Sequence, residues 1–154
     1  PAVTWMPADA LLDTNVLVYT YATGEPEKRG RALATLDRLV VDGRGKVSTQ
    51  VLGELFRVIT QRLRPPRTPA EAAEDVVALA RAWPTLSVTP LVVLEAVRGA
   101  RDHGLSYWDA QLWATARLNQ IPVVLTEDFA HGRVLEGVQF LNPFAPSFEL
   151  AALD

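Results

Sequence analysis

Four acidic residues, Asp13, Glu54, Asp109 and Asp128, lie in four separate segments, each where the sequence pattern ends a strand or starts a helix. Carboxylates drawn together from several elements supply hard oxygen donors, the ligand type that selects Mg²⁺ or Mn²⁺. Singly, three of them have plainer readings. Asp13 closes an apolar run and precedes Thr14-Asn15, so it reads as a helix cap or a turn aspartate. Glu54 reads as a charged residue on the flank of an amphipathic helix, and Asp128 as a loop aspartate just past an apolar strand. Asp109 differs. Its helical neighbours three, four and seven residues on are Leu112, Trp113 and Ala116, an apolar face on which a carboxylate is partly buried. An unpaired buried carboxylate costs several kcal/mol or takes up a proton, and a bound cation removes that cost. Ser106 three residues earlier leaves a capping-box role open, although Asp stands where Glu or Gln is usual.

The elements that must position these acids follow from periodicity. Residues 8–13 form a short apolar strand ending on Asp13, and a first helix is expected over 14–23. A helix over 25–42 carries Ala32, Leu33, Leu36, Leu39 and Val40 at helical spacing, with Gly43 as its stop. A strand at 46–48 leads into a helix over 49–63 with Val51, Leu52, Leu55, Phe56, Ile59 and Leu63 as its apolar stripe. Thr68-Pro69-Ala70-Glu71 is a helix start, for a helix reaching Trp83. A strand at 86–89, a helix at 90–103 closed by Gly104, a helix from the Ser106 cap to Asn119, a strand at 121–125 and a last strand at 138–141 complete the chain. Strands alternating with helices predict a mostly parallel sheet covered on both sides, with the ligand site at the carboxyl ends of its strands.

Composition narrows the function. At 154 residues one domain is expected: residues 1–7 an N-terminal extension, native or added, 8–143 the domain, and 144–154 a C-terminal tail. Without cysteine there is no disulfide framework and no thiolate chemistry. No apolar run is long enough to span a bilayer, and a cytoplasmic location without membrane attachment is expected. The net charge of -3 makes no global case for nucleic acid, so such a partner needs a local basic patch or a bridging metal.

Leu12-Asp13-Thr14-Asn15-Val16-Leu17-Val18, Ser48-Thr49-Gln50-Val51-Leu52-Gly53-Glu54, Trp108-Asp109-Ala110 and Leu125-Thr126-Glu127-Asp128-Phe129 resemble, in order and spacing, the motifs of PIN-domain ribonucleases, above all the VapC-type toxins of prokaryotic toxin-antitoxin pairs. The similarity spans residues 8–143. It implies that Asp13, Glu54 and Asp109 are the central acids and Asp128 a fourth, more variable one, with Asn15 and Thr126 as supporting or phosphate-contacting residues. It further implies a PIN-like three-layer α/β/α sandwich with a short, mostly parallel central sheet, a homodimer, Mg²⁺ or Mn²⁺ as cofactor, RNA as substrate, and a cognate antitoxin whose peptide enters the site.

The chemistry is coherent with that resemblance. Phosphodiester hydrolysis requires an activated water and something to hold charge on the phosphoryl oxygens, and hydrated Mg²⁺ or Mn²⁺ on carboxylates supplies both. Asp13, Asp109 and Asp128 are expected as direct or water-mediated ligands and Glu54 as a ligand or a water-orienting group, around one ion or two. Arg57, Arg62, Arg64 and Arg67, with no acid between Leu55 and Ala70, are proposed to contact phosphate, and Arg98, Arg101 and His103 form a weaker candidate. His131 reads as a turn residue, and Trp108 and Trp113 as packing residues, with base stacking by Trp108 a lesser alternative. Two rivals remain. A non-catalytic RNA-binding module would use the same fold. An aspartyl-phosphate phosphatase would use Asp13 as nucleophile, against which Asn15 stands where a second Asp is usual and no lysine follows Lys46.

Overall fold

The computed structural model describes residues 7–154, so most of the expected N-terminal extension lies outside the described residues. The first strand, β1 (Ala10–Leu12), is buried at every position, which requires cover on both faces of the sheet. After it come α1 (Thr14–Tyr19), α2 (Pro26–Val41), β2 (Gly45–Ser48), α3 (Thr49–Gln61), α4 (Pro69–Ala82) and β3 (Thr85–Leu86). The second half holds α5 (Pro90–His103), α6 (Tyr107–Leu118), β4 (Val123–Leu125), β5 (Val134–Leu135), β6 (Val138–Leu141) and a 3-10 turn at Leu150–Leu153. Among the described residues six strands form one sheet in the order β3-β2-β1-β4-β6-β5, parallel except where β5 pairs antiparallel with β6. This is the expected α/β sandwich. Among the described residues no helix is long and apolar enough to cross a membrane.

The strand order dictates where a site can form. From β1 the chain first builds outward through β2 and β3, then returns to the other side of β1 with β4, so the order reverses between β1 and β4. A crevice opens at the carboxyl ends of two such strands. Their register brings Leu12 opposite Leu125, and the Asp13 amide donates to the Leu125 carbonyl at 2.9 Å. Asp13 and Thr126 therefore leave the sheet side by side.

Hydroxyl caps set the helix starts. Ser48, Thr68, Thr89 and Ser106 each accept a hydrogen bond from an amide in the first turn of α3, α4, α5 and α6. Thr68 and Glu71 also share a hydroxyl-carboxylate bond of 3.0 Å. Gly104, in the left-handed region at φ 67°, closes α5. Gly99 allows a close approach: a Cβ there would stand 2.5 Å from the fully buried Trp113 ring, so its absence lets α5 lie against α6, the helix that bears Asp109.

Several expected boundaries move for local reasons. The first helix ends at Tyr19 rather than near residue 23, because the next amides bond three residues back, Tyr21 to Val18 and Ala22 to Tyr19, and tighten into turns. The third strand is Thr85–Leu86, not 86–89. Pairing starts early, at the Pro84 carbonyl, which accepts from Val47, while the Val88 amide donates to the Thr49 hydroxyl and Thr89 caps α5. Phe56, placed on the apolar stripe of α3, is 39% exposed; Val51, Leu55 and Ile59 form the buried face. The β5-β6 hairpin is an addition, turned by Glu136 and Gly137, both at positive φ. Residues 144–154 fold back onto the domain. Leu153 is buried, its carbonyl accepts from the buried Arg44, and Arg38 pairs with Asp154.

Candidate active site

Asp13 caps α1 at the end of β1 and is only 9% exposed. One carboxylate oxygen accepts from the Thr14 amide at 2.7 Å, the other from the Thr126 hydroxyl at 2.7 Å and the Asn15 amide at 3.3 Å. The same Asn15 Nδ2 donates to Asp128 Oδ2 at 3.3 Å, and the Thr126 hydroxyl accepts from the Asp128 amide at 3.1 Å. Asn15 and Thr126 thus tie the two aspartates of neighbouring strands together. Burial, with the charges of Asp128 and Glu54 adding to it, pushes the Asp13 carboxyl up to about 7 despite its hydrogen bonds. Burial also raises Asp128, followed by the charges of Asp109 and Glu127, while hydrogen bonds from Asn15 and Asp13 oppose the rise.

Glu54 arrives from α3, half-buried, with both oxygens taken by neutral donors. The Thr14 hydroxyl donates to Oε2 at 2.7 Å and Gln50 Nε2 to Oε1 at 3.2 Å. Gln50 lies one turn before Glu54 on the same face and also donates to the Trp108 carbonyl at 3.3 Å, directly before Asp109. Its own oxygen accepts from Gln111 at 2.9 Å, and Gln111 accepts from the Tyr107 hydroxyl at 2.8 Å. Among the described residues, every side-chain hydrogen bond between α3 and α6 passes through Gln50. Thr14, Gln50, Tyr107 and Gln111 were not assigned roles from the sequence. The available signal was spacing, since Gln50 and Glu54 stand four apart on a helix.

Asp109 sits in the first turn of α6, half-buried, its amide donating to the Ser106 hydroxyl. The reciprocal half of a capping box is missing: among the described residues no donor reaches the Asp109 carboxylate. A structural cap therefore accounts for the serine and leaves the acid unspent. The face beneath it, Leu112, Trp113 and Ala116, is buried as its spacing predicts.

The four acids share one region but do not close on a point. Among the described residues, no three acidic or histidine side chains converge tightly enough to cage an ion. Mg²⁺ does not require a cage, since it keeps several waters and is held through one or two carboxylates plus substrate phosphate. The donors present suit that mode. They are all oxygens, Asp13 is a buried carboxylate under repulsion from two others, and the buried Asn15 Oδ1 has no hydrogen-bond partner among the described residues. Asp13 and Asp128 could hold such an ion directly, and Glu54 and Asp109 through water.

An open cleft of about 970 Å³ exposes this chemistry. Asp13, Asn15, Glu54 and Asp128 line it together with Arg57, Arg62, Arg64 and Trp108. Glu54, Arg57 and Val58 lie at spacings of three and four on one face of α3, and its C-cap Arg62 follows four residues after Val58, so the helix and its end present an acid and two arginines to the same space. Arg67 does not reach it. Its guanidinium is held by Asp75, at 2.9 and 3.1 Å, and by Glu71 at 2.8 Å. The second basic candidate is also neutralised: Arg98 pairs with Glu95, Asp102 and Glu136, Arg101 with Asp102, and His103 with Glu136. Neither lysine lines the cleft. His131 accepts from the Asn142 amide at 3.0 Å and so fixes a turn. Trp108 is a correction: expected to pack like Trp113, it is 60% exposed at the cleft wall.

Comparison with solved structures gives the same architecture. A toxin-antitoxin complex from Klebsiella pneumoniae aligns at a TM-score of 0.63 and 19% identity, covering 88% of this chain and 98% of that one. VapBC2 from Rickettsia felis, bound to a promoter DNA fragment, aligns at 0.63 and 14%, covering 86% and 97%. VapC20 from Mycobacterium tuberculosis, described as a Sarcin-Ricin loop cleaving toxin, aligns at 0.59 and 20%, covering 75% and 87%. Comparison with curated proteins finds no match. The family profile of the PIN domain matches residues 10–136, from β1 through α6 and β4 to the hairpin turn. That match takes in all four acids and most of the chain, and the protein belongs to the PIN domain family.

Proposed function

We propose that the protein is an endoribonuclease of the VapC type, the toxin of a toxin-antitoxin pair, acting in the cytoplasm with Mg²⁺ or Mn²⁺. The observation that carries the reading is the gathering of Asp13, Asn15, Thr126 and Asp128 where the strand order reverses, in a cleft that also holds Glu54 and three arginines. The structural neighbours from toxin-antitoxin systems support a cognate antitoxin as partner, and the VapC20 toxin supports RNA as substrate. A homodimer follows from the sequence resemblance.

The bound ion would supply an acidified water and a counter-charge for the phosphoryl oxygens. The chain's own residues do the rest. Thr126 and the Thr14 amide hold the Asp13 carboxylate in one orientation, so it need not reorganise when substrate arrives. Glu54, clamped by Thr14 and Gln50, faces the cleft as a group able to orient water or take its proton. Arg57, Arg62 and Arg64 attract the RNA backbone. Hydrolysis at the scissile phosphate leaves a 5′-phosphate and a 3′-hydroxyl.

A non-catalytic RNA-binding role would need the arginines but gives no reason to bury Asp13 among other acids. The test is cleavage of structured and single-stranded RNA by protein purified away from any partner, in Mg²⁺, in Mn²⁺ and in chelator. Cutting in either ion, absent in chelator and absent in Asp109→Asn, is expected. Tight RNA binding with no cutting in either ion would favour the binding module instead.

A further inference from the structure

We infer that Trp108 is a stacking platform for an unpaired nucleobase beside the phosphate held at the acids, which makes single-stranded or extruded RNA the substrate form. This rests on the nuclease reading for the identity of the ligand, but its support is separate. On α6, residues 110–116 are all buried, whereas Trp108 leaves most of its ring in solvent. A large exposed indole on a helix whose next two turns are buried is free to meet a ligand. Its place is beside the acids: it directly precedes Asp109 and lines the cleft shared by Asp13, Asp128 and the three arginines.

The ring is also braced on one side. The Trp108 carbonyl accepts from Gln50 at 3.3 Å, and the indole packs edge-on against Tyr107 at 5.1 Å between centroids. Tyr107 is itself fixed through its hydroxyl to Gln111, which bonds back to Gln50. An aromatic face fixed before binding loses little freedom when a base settles on it. Arginines that track phosphates beside an aromatic face are the two components of single-strand binding. Bases inside a duplex already stack on one another and have no free face to offer.

The test measures binding to short RNA in Mg²⁺, in an Asp13→Asn background so that the strand stays intact. Trp108, Trp108→Phe and Trp108→Ala are each combined with a series of RNAs carrying one abasic site walked along the strand. Trp108→Ala should weaken binding about tenfold or more, the range of lost base-aromatic stacking, while Trp108→Phe retains most of it. One abasic position should weaken the Trp108 protein to a similar degree and cost Trp108→Ala nothing further, because base and ring are then one interaction. Quenching of tryptophan fluorescence by the intact RNA should vanish in Trp108→Ala. Equal affinities for all three proteins, or losses that add at every abasic position, would overturn the inference. So would a change in subunit number in Trp108→Ala with all abasic penalties intact, since the ring would then be a subunit contact. If no protein binds RNA at all, the proposed function falls as well; if abasic coupling holds but the native chain cuts nothing, only the nuclease reading falls.

Discussion

In one part of the cleft the charged groups are fastened to one another, whereas in the other three arginines stand without a carboxylate partner among the described residues. Asp13 and Asp128 are bridged by Asn15 and Thr126, and Glu54 is clamped through Thr14 and Gln50. Arg57, Arg62 and Arg64 line the same cleft from α3 and the segment after it. The α5 cluster sharpens the contrast, because Arg98, Arg101 and His103, the weaker basic candidate from sequence, are paired with Glu95, Asp102 and Glu136. Fixed geometry suits groups that must meet a reacting phosphate. Charge that no carboxylate claims suits groups that must meet a flexible backbone.

The fastened acids carry the largest expected effect. Asp13 has a folded-state pKa of about 7 against 3.8 ordinarily, so between those values the folded protein holds a proton that the unfolded chain has released. Stability from this group is full at low pH and is lost as pH rises toward about 7, a span on the order of 4 kcal/mol. Denaturant titrations without divalent ions, at pH 5 and pH 8, should show Asp13→Asn gaining relative to the native protein as pH rises. An equal difference at both pH values would break the claim that Asp13 is buried against its charge.

Removing the clamp should matter less. Gln50→Ala frees one Glu54 oxygen and removes the only hydrogen-bonded side-chain link from α3 to α6 among the described residues, so cleavage at saturating RNA should fall about tenfold, with RNA affinity unchanged. A loss confined to affinity would move Gln50 from positioning to substrate contact. Replacing Arg57, Arg62 and Arg64 together by alanine should reverse that pattern, weakening RNA binding and lowering the slope of log affinity against log salt by about 2, the value for three phosphate contacts with a single strand. Arg101→Ala, in the paired cluster, should change affinity, salt slope and cleavage least of all; an effect as large as that of the cleft arginines would erase the distinction.

Much of the frame was legible in the sequence for physical reasons. The α5 and α6 boundaries follow from Thr89-Pro90, Gly104 and Ser106, residues whose hydroxyls, ring or missing Cβ act within one turn. Asp13 and Thr126 could be placed at strand ends because β1 and β4 are short apolar runs with buried faces. The β5-β6 hairpin was missed although Val134-Leu135-Glu136-Gly137-Val138 carries its signal, two-residue strands being too short to show alternation. What separates the two arginine clusters was legible only in part, through the absence of acids between Leu55 and Ala70. Glu136 reaches Arg98 and His103 from more than thirty residues away, and Asp75, about two turns into α4, holds Arg67 away from the cleft. Trp108 and Trp113 both read as packing residues from sequence; α5, lying close at Gly99, covers Trp113, while Trp108, earlier on the same helix, stays exposed.

The division of labour within the cleft can be measured in one experiment: single-turnover cleavage of a target RNA, with its dissociation constant, for the native protein, Asp13→Asn and the triple arginine variant. Asp13→Asn should bind RNA at least as well as the native protein and cut it about a thousandfold more slowly, several kcal/mol of lost transition-state stabilisation. The triple variant should bind more weakly and, once saturated, cut at the native rate. Cutting by Asp13→Asn within tenfold of the native rate would contradict the assignment of chemistry to the fastened acids.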